Sequence, residues 1–229
     1  MTILIVVPQG AEFKAVMDGL NKSQDKSQSK PILPVLAIPA GLAVKAFLEQ
    51  ESDRFGGVTL VIVLGLCGAL TNDAVVGQMG CYKCCRDRSG NQYQCDHLNI
   101  EYEFANWNAV TIDRVITKTT DKQLLNTKTN CDVVDMESVW ILKFMQQRGI
   151  AVSVVRVVSD TVVGDLPDLS QVFDLNGALK PMALGRSFVM RPIAALRLIR
   201  GSILGLRQLT RCATMIQDRF DSSQLHRGK

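Results

Sequence analysis

The residues best suited to chemistry fall between Cys131 and Pro167, where two short apolar runs each end in acids. Asp135 and Glu137 close V-V-D-M-E-S, and Ser159 with Asp160 closes V-R-V-V-S-D. The first run reads as a strand over Asp132–Asp135 handing over to a helix. The second reads as a very apolar strand over Ala151–Val158. The helix between them stops at Gly149, a common terminator. Such a strand–helix–strand unit places ionisable groups at the carboxyl ends of two strands, where open α/β sheets bind ligands. A Ser-Asp pair after V-V-R-V-V gains nothing by packing, so the strand is expected to deliver it to a site.

Two further stretches carry candidates. Glu12 opens a helix over Glu12–Leu20, directly after a strand over Thr2–Pro8. It can answer the helix dipole, or it can serve chemistry. A third strand, Val58–Leu64, runs into G-L-C-G-A-L-T-N-D. There Gly65, Leu66, Cys67 and Gly68 could contact a ligand, because glycine lets a backbone approach closely. A tight turn with positive φ would explain the same glycines. Neither G-K-[ST] nor G-x-G-x-x-G is present, so the match to a phosphate loop is poor. Structural alternatives stand beside the other candidates too. Glu137 fits an acid at a helix N-terminus, Met136 fits a core position, and Asp160 fits an N-cap.

The elements that must position these residues alternate along the chain. After a polar stretch at Asn21–Lys30 come a strand at Ile32–Ile38 and a helix at Ala40–Glu51. A hairpin over Val75–Asn99 turns at Arg88-Ser89-Gly90-Asn91. Asn108–Thr117 reads as a strand, and Thr120–Thr127 as a helix with a threonine cap. Ser170–Leu179 reads as a short helix broken at Pro181. Pro192–Ile216 reads as one long helix or two, with Asp218–Lys229 frayed. This pattern predicts an α/β domain, a mixed central sheet flanked by helices in three layers.

Composition narrows the function classes. The chain has 229 residues, 47% of them hydrophobic, and a net charge of +4. That fills a sizeable core and gives no general signature of nucleic-acid binding. The longest apolar run, Val58–Leu70, is too short to span a bilayer. Met1–Val7 lacks a basic n-region, so a cytoplasmic protein is expected. Seven cysteines form an odd set, and a disulfide framework is not expected there. The spacing of Cys81, Cys84, Cys85, Cys95 and His97 raises the question of zinc. On a regular strand, however, Cys81 and Cys85 face one side and Cys84 the other. Small buried hydrophobes, or one cross-strand disulfide, suit them better, and no metal or cofactor is expected.

The basic tail has its own logic. Arg197, Arg200, Arg207 and Arg211 fall near one line at helical spacing, with Leu198, Ile199, Ile203, Leu206 and Leu209 opposite. This helix can pack on the body of the protein, or lie on a membrane surface through residues 192–216.

Taken together, these motifs resemble the purine nucleoside phosphorylase / methylthioadenosine–adenosylhomocysteine nucleosidase superfamily. The resemblance is colinear over most of residues 1–167. It rests on Glu12 after the first strand, G-L-C-G-A-L followed by Val76-Gly77, and D-R-V-I-T ahead of Lys122–Leu125. Above all it rests on V-V-D-M-E-S and V-R-V-V-S-D. The segment beyond is most similar to the hopanoid-associated branch, which is implicated in removing adenine from adenosylhopane to leave ribosylhopane.

The resemblance implies a nucleoside phosphorylase-like fold and cleavage of an N-glycosidic bond. Residues 1–180 would form the catalytic domain, and residues 181–229 a basic helical extension of it. Asp160 would protonate or hydrogen-bond N7 of the leaving purine, oriented by Ser159. Glu137 would hold the ribose hydroxyls and Met136 would pack on the sugar. Glu12 would activate water. The first loop and the glycine stretch lack an arginine or hydroxyl for phosphate, which favours hydrolysis. Arg86 and Arg88 lie near a hairpin turn and are expected to be solvated; that one of them reaches the site is the alternative. A homodimer is expected by the same resemblance. The alternatives are a phosphorylase, or a catalytically weak nucleoside-binding or membrane-associated protein.

Overall fold

The computed structural model describes residues 2–24, 32–98, 104–167, 188 and 190–225. Its strands are β1 (Ile3–Pro8), β2 (Val35–Ile38), β3 (Leu60–Ala69), β4 (Met79–Arg86), β5 (Gln92–Gln94), β6 (Ala105–Thr111), β7 (Val133–Asp135) and β8 (Ala151–Asp160). Its helices are α1 (Ala11–Gln24), α2 (Ala43–Gln50), α3 (Thr119–Thr129), α4 (Ser138–Gln146) and α5 (Pro192–Leu225), with a short 3₁₀ turn at Ser52–Phe55. The expected helix at Ser170–Leu179 and most of the polar stretch at Asn21–Lys30 lie outside the described residues.

The strands form one mixed sheet. β1 pairs in parallel with β2 and β3, and β3 pairs in parallel with β8 along most of its length. β8 runs antiparallel to β4, and β4 parallel to β6. β6 pairs with β7, which returns antiparallel to the end of β3. Five strands thus close a ring, β3–β8–β4–β6–β7.

One apolar cluster joins the sheet to Val44 and Leu48 of α2 and to Ile141, Leu142 and Met145 of α4. A second joins the opposite face to Val16 and Leu20 of α1 and to Leu209, Cys212 and Ile216 of α5. The result is the expected three-layer arrangement with a mixed sheet.

Three expectations change. The glycine stretch is not a turn: β3 continues as a strand through Ala69, and among Gly65 and Gly68 no positive φ occurs. A bulge between Tyr82 and Cys84 breaks the alternation in β4. Cys81 therefore joins the cluster under α1 and α5, while Cys85 joins the opposite one. The cap of α3 is not its own threonine. Asp165 Oδ1 accepts the Thr119 N–H at 2.9 Å from 46 residues downstream.

The C-terminal segment is one helix reaching Leu225 rather than a frayed end. Its buried face matches the expected one at Leu206 and Leu209 and departs from it elsewhere. Ile199 and Ile203 are exposed, whereas Ala195, Gly201, Gly205, Leu209 and Ala213 face the body. Close approach is the reason. A Cβ at Gly201 would collide with the Ser159 carbonyl oxygen, and one at Gly205 would touch Leu66 at 3.0 Å. A Cβ at Gly19 of α1 would likewise strike the α5 backbone at Thr210, and the Thr214 hydroxyl donates to the Gly19 carbonyl at 2.8 Å. Gly201→Ala is expected to cost about 1–3 kcal/mol through overpacking, read as a lower denaturation midpoint in urea with an unchanged slope.

Candidate active site

A cavity of about 770 Å³ opens at the carboxyl ends of β1, β3, β7 and β8. It is bordered by Glu12, Leu66, Cys67, Gly68, Met136, Glu137, Ser159 and Asp160. Of the residues expected to bind or act on a substrate, Gly65 does not border it. Gly65 lies beneath, where a Cβ would collide with the Arg156 guanidinium and come within 2.8 Å of Glu12 Oε1. Its role is to leave room for those two side chains.

Arg156 is the group that sequence reading missed. It sits mid-strand in β8, fully buried. Nη2 lies 3.1 Å from Asp135 Oδ2 and 3.4 Å from Glu137 Oε2, and donates to Ser138 Oγ at 3.1 Å. Nη1 reaches the Leu66 carbonyl at 3.4 Å. Burial alone would lower the arginine's pKa, but Asp135, Glu137 and further acids outweigh it and raise it. A buried charge needs such partners, so an arginine inside V-V-R-V-V was the available signal.

Each acid is then held by backbone as well as by charge. Glu12, in the first turn of α1, accepts the Leu66 N–H at 2.6 Å. Burial and the charge of Glu137 push its pKa up to about 7, against the opposing pull of Arg156 and that N–H. Glu137 accepts the Gly41 N–H at 2.8 Å, and burial raises its pKa too. Asp135 takes the helix-capping task considered for Glu137. Its Oδ1 accepts the Ser138 N–H at 3.3 Å and the Thr111 hydroxyl at 2.6 Å. Glu137 is thereby left facing the cavity.

At the other end, Ser159 Oγ donates to Asp160 Oδ1 at 2.9 Å and also lies 3.2 Å from the Cys67 carbonyl. Asp160 Oδ2 is bonded by the ammonium of Lys122 from α3. Lys122 is another group not assigned from sequence.

Arg86 and Arg88 do not border this cavity. Arg86 bonds the Thr129 carbonyl and Gln92, and Arg88 lies 3.7 Å from Asp113. Both line a separate cavity of about 600 Å³. Exposed Arg114 borders both cavities.

All seven cysteines are free. Burial raises the Cys81 thiol to about 11, which disfavours the thiolate that binds metal. Among the described residues, no group of three or more His, Cys, Asp or Glu side chains is placed to hold a metal ion.

The mixed α/β fold matches that of solved nucleosidase structures. A family model described as the Phosphorylase superfamily matches residues 108–180. Three solved structures share the fold. Futalosine hydrolase of Helicobacter pylori aligns with a TM-score of 0.64 at 11% identity, covering 94% of this chain and 97% of that one. The 5′-methylthioadenosine nucleosidase of Arabidopsis thaliana aligns with a TM-score of 0.64 at 13% identity, covering 99% and 96%. A Helicobacter pylori MTAN mutant with 5′-methylthioadenosine in its active site aligns with a TM-score of 0.60 at 12% identity, covering 95% and 98%. Comparison with curated protein sequences finds no match.

Replacing Arg156 by methionine would leave Asp135 and Glu137 buried without their cation. The expected loss is about 3–5 kcal/mol of stability at neutral pH. The deficit relative to wild type should narrow toward acidic pH, where protonation relieves the carboxylates. Urea unfolding of both proteins across pH checks it.

Proposed function

We propose that this protein hydrolyses the N-glycosidic bond of an adenine nucleoside. The observation that carries the reading is the convergence of Glu12, Met136, Glu137, Ser159 and Asp160, from the ends of three strands, on one cavity. The fold shared with nucleosidases supports it. In this reading Asp160 faces N7 of the purine and Ser159 orients it. Glu137 binds the ribose hydroxyls, with Met136 against the sugar. Glu12 takes a proton from water as C1′ gains positive charge, and a pKa of about 7 suits a general base. The nearby carboxylates also stabilise an oxocarbenium-like transition state.

Water is favoured over phosphate because the buried cations, Arg156 and Lys122, are already engaged by carboxylates, Arg86 and Arg88 line another cavity, and Arg114 stands exposed at the border of this one. For the substrate we favour adenosylhopane, a nucleoside with a large apolar 5′ group. We assign residues 181–229 to the same domain as an extension, since α5 contributes Leu198 to the cavity wall.

The protein is expected to release free adenine from adenosine derivatives without added phosphate. Asp160→Asn and Glu12→Gln should each lower kcat by about 10²-fold or more. Since Glu12 must be unprotonated to accept a proton, kcat/KM should rise as pH passes through about 7, and Glu12→Gln should abolish that rise. Retained nucleoside binding with no adenine release by wild type would instead favour the binding-protein reading. Release that requires phosphate would favour a phosphorylase.

A peripheral membrane contact through residues 192–216 is supported by the outward stripe of Ile193, Leu196, Ile199 and Ile203, exposed by 77%, 49%, 40% and 47%. Exposed Arg200 and Arg207 flank it. Among the described residues no helix is long and apolar enough to cross a membrane. Because α5 is part of the core, the test keeps the whole chain. Ile193→Ser with Ile203→Ser should abolish co-sedimentation with anionic liposomes. Unchanged sedimentation removes the membrane role. A loss of dimer in light scattering would assign the stripe to the proposed homodimer.

A further inference from the structure

Lys122 is 1% exposed, yet its ammonium borders the same cavity as the acids. It reaches there because α3 is pinned at its start. Asp165 accepts the Thr119 N–H, and the Thr119 hydroxyl accepts the Gly164 N–H at 3.0 Å. One turn on, Lys122 Nζ bonds Asp160 Oδ2 and donates to the Thr161 carbonyl at 2.6 Å.

The oxygens of Asp160 are therefore not equivalent. Oδ1 receives the Ser159 hydroxyl, and Oδ2 receives the ammonium. Gly68 leaves both open toward β3, where a Cβ would stand 3.1 and 3.3 Å from them. An ionised carboxylate is acceptor-only and has no proton to give. A carboxylate with an ammonium behind it has one available.

We propose that Lys122 is the source of the proton that departs with the purine, delivered through Asp160. The proposal rests on the nucleosidase reading above. As the C1′–N9 bond breaks, its electron pair stays with the base. Asp160 passes a proton to N7 and takes one from the Lys122 ammonium. Water adds to C1′ and its proton goes to Glu12. Lys122 ends one proton short and Glu12 one proton ahead, and exchange with solvent restores both. Lys122 does not touch the substrate; it is a positioning and proton-supplying residue acting through Asp160.

The test compares Lys122→Met and Lys122→Arg with wild type on adenosine and on 4-nitrophenyl riboside, whose leaving group departs without protonation. Arginine keeps the charge but cannot give up a proton. Both variants should lose about 10²-fold or more in kcat on adenosine, with KM changed little. Both should cleave 4-nitrophenyl riboside within a few-fold of wild type. Recovery of adenosine cleavage by Lys122→Arg would show that charge alone suffices, and overturns the proposal. An equal fall on both substrates would mark a structural role and overturns it too. Wild-type protein inactive on both substrates would remove the nucleosidase reading itself. An active wild type with an undiminished Lys122→Met removes only the assignment of Lys122.

Discussion

The structure depends on one buried positive charge. Arg156 stands in the middle of the longest parallel strand pair with no exposure to solvent. Removing a guanidinium from water costs several kcal/mol unless charged and polar partners replace the solvent. Asp135, Glu137, Ser138 and the Leu66 carbonyl are those partners. Three of them come from the junction of β7 and α4 and the fourth from β3, so the same constraint fixes where β7 ends, how α4 starts and how β3 passes β8. Gly65, paired with Arg156 in register, carries no side chain because the guanidinium occupies that space.

The consequence is a site with two electrostatic halves. In one, Arg156 holds a group of acids close together, and burial, with the added charge of Glu137, raises Glu12 into the range useful for a base. In the other, Lys122 pairs with Asp160 and also donates to the Thr161 carbonyl. The two cations come from different elements, β8 and α3, so the two halves have separate supports. A single cation shared among all the acids would have linked their protonation.

Helix α5 ties the apolar architecture to this polar centre. Glycines at 201 and 205 let it rest on the Ser159 backbone and on Leu66, and Leu198 borders the cavity. The small residues of this helix face inward, and several of its large apolar residues face outward. A close helix crossing demands small side chains at the contact, which leaves the bulky ones elsewhere on the circumference. The binary pattern of the helix therefore placed Leu198, Leu206 and Leu209 correctly and misplaced Ile199 and Ile203.

What the amino-acid sequence determined by itself was the order of elements and the residues at strand ends. Hydrophobic runs with polar terminations are local features, and β1, the β4–β5 hairpin, α4 and β8 follow them closely. The acids Glu12, Glu137 and Asp160 and the hydroxyl of Ser159 stood out for the same reason: packing does not account for them. Tertiary structure alone decided the rest. Arg156 was passed over within an apolar strand, because its partners lie 18 or more positions away. Lys122 had no role assigned from the sequence, because its facing acid is 38 positions away. The bulge that separates Cys81 from Cys85 depends on the strand beside it. Local patterning records which way a side chain tends to face, whereas charge pairing and close backbone approach depend on neighbours that only folding supplies.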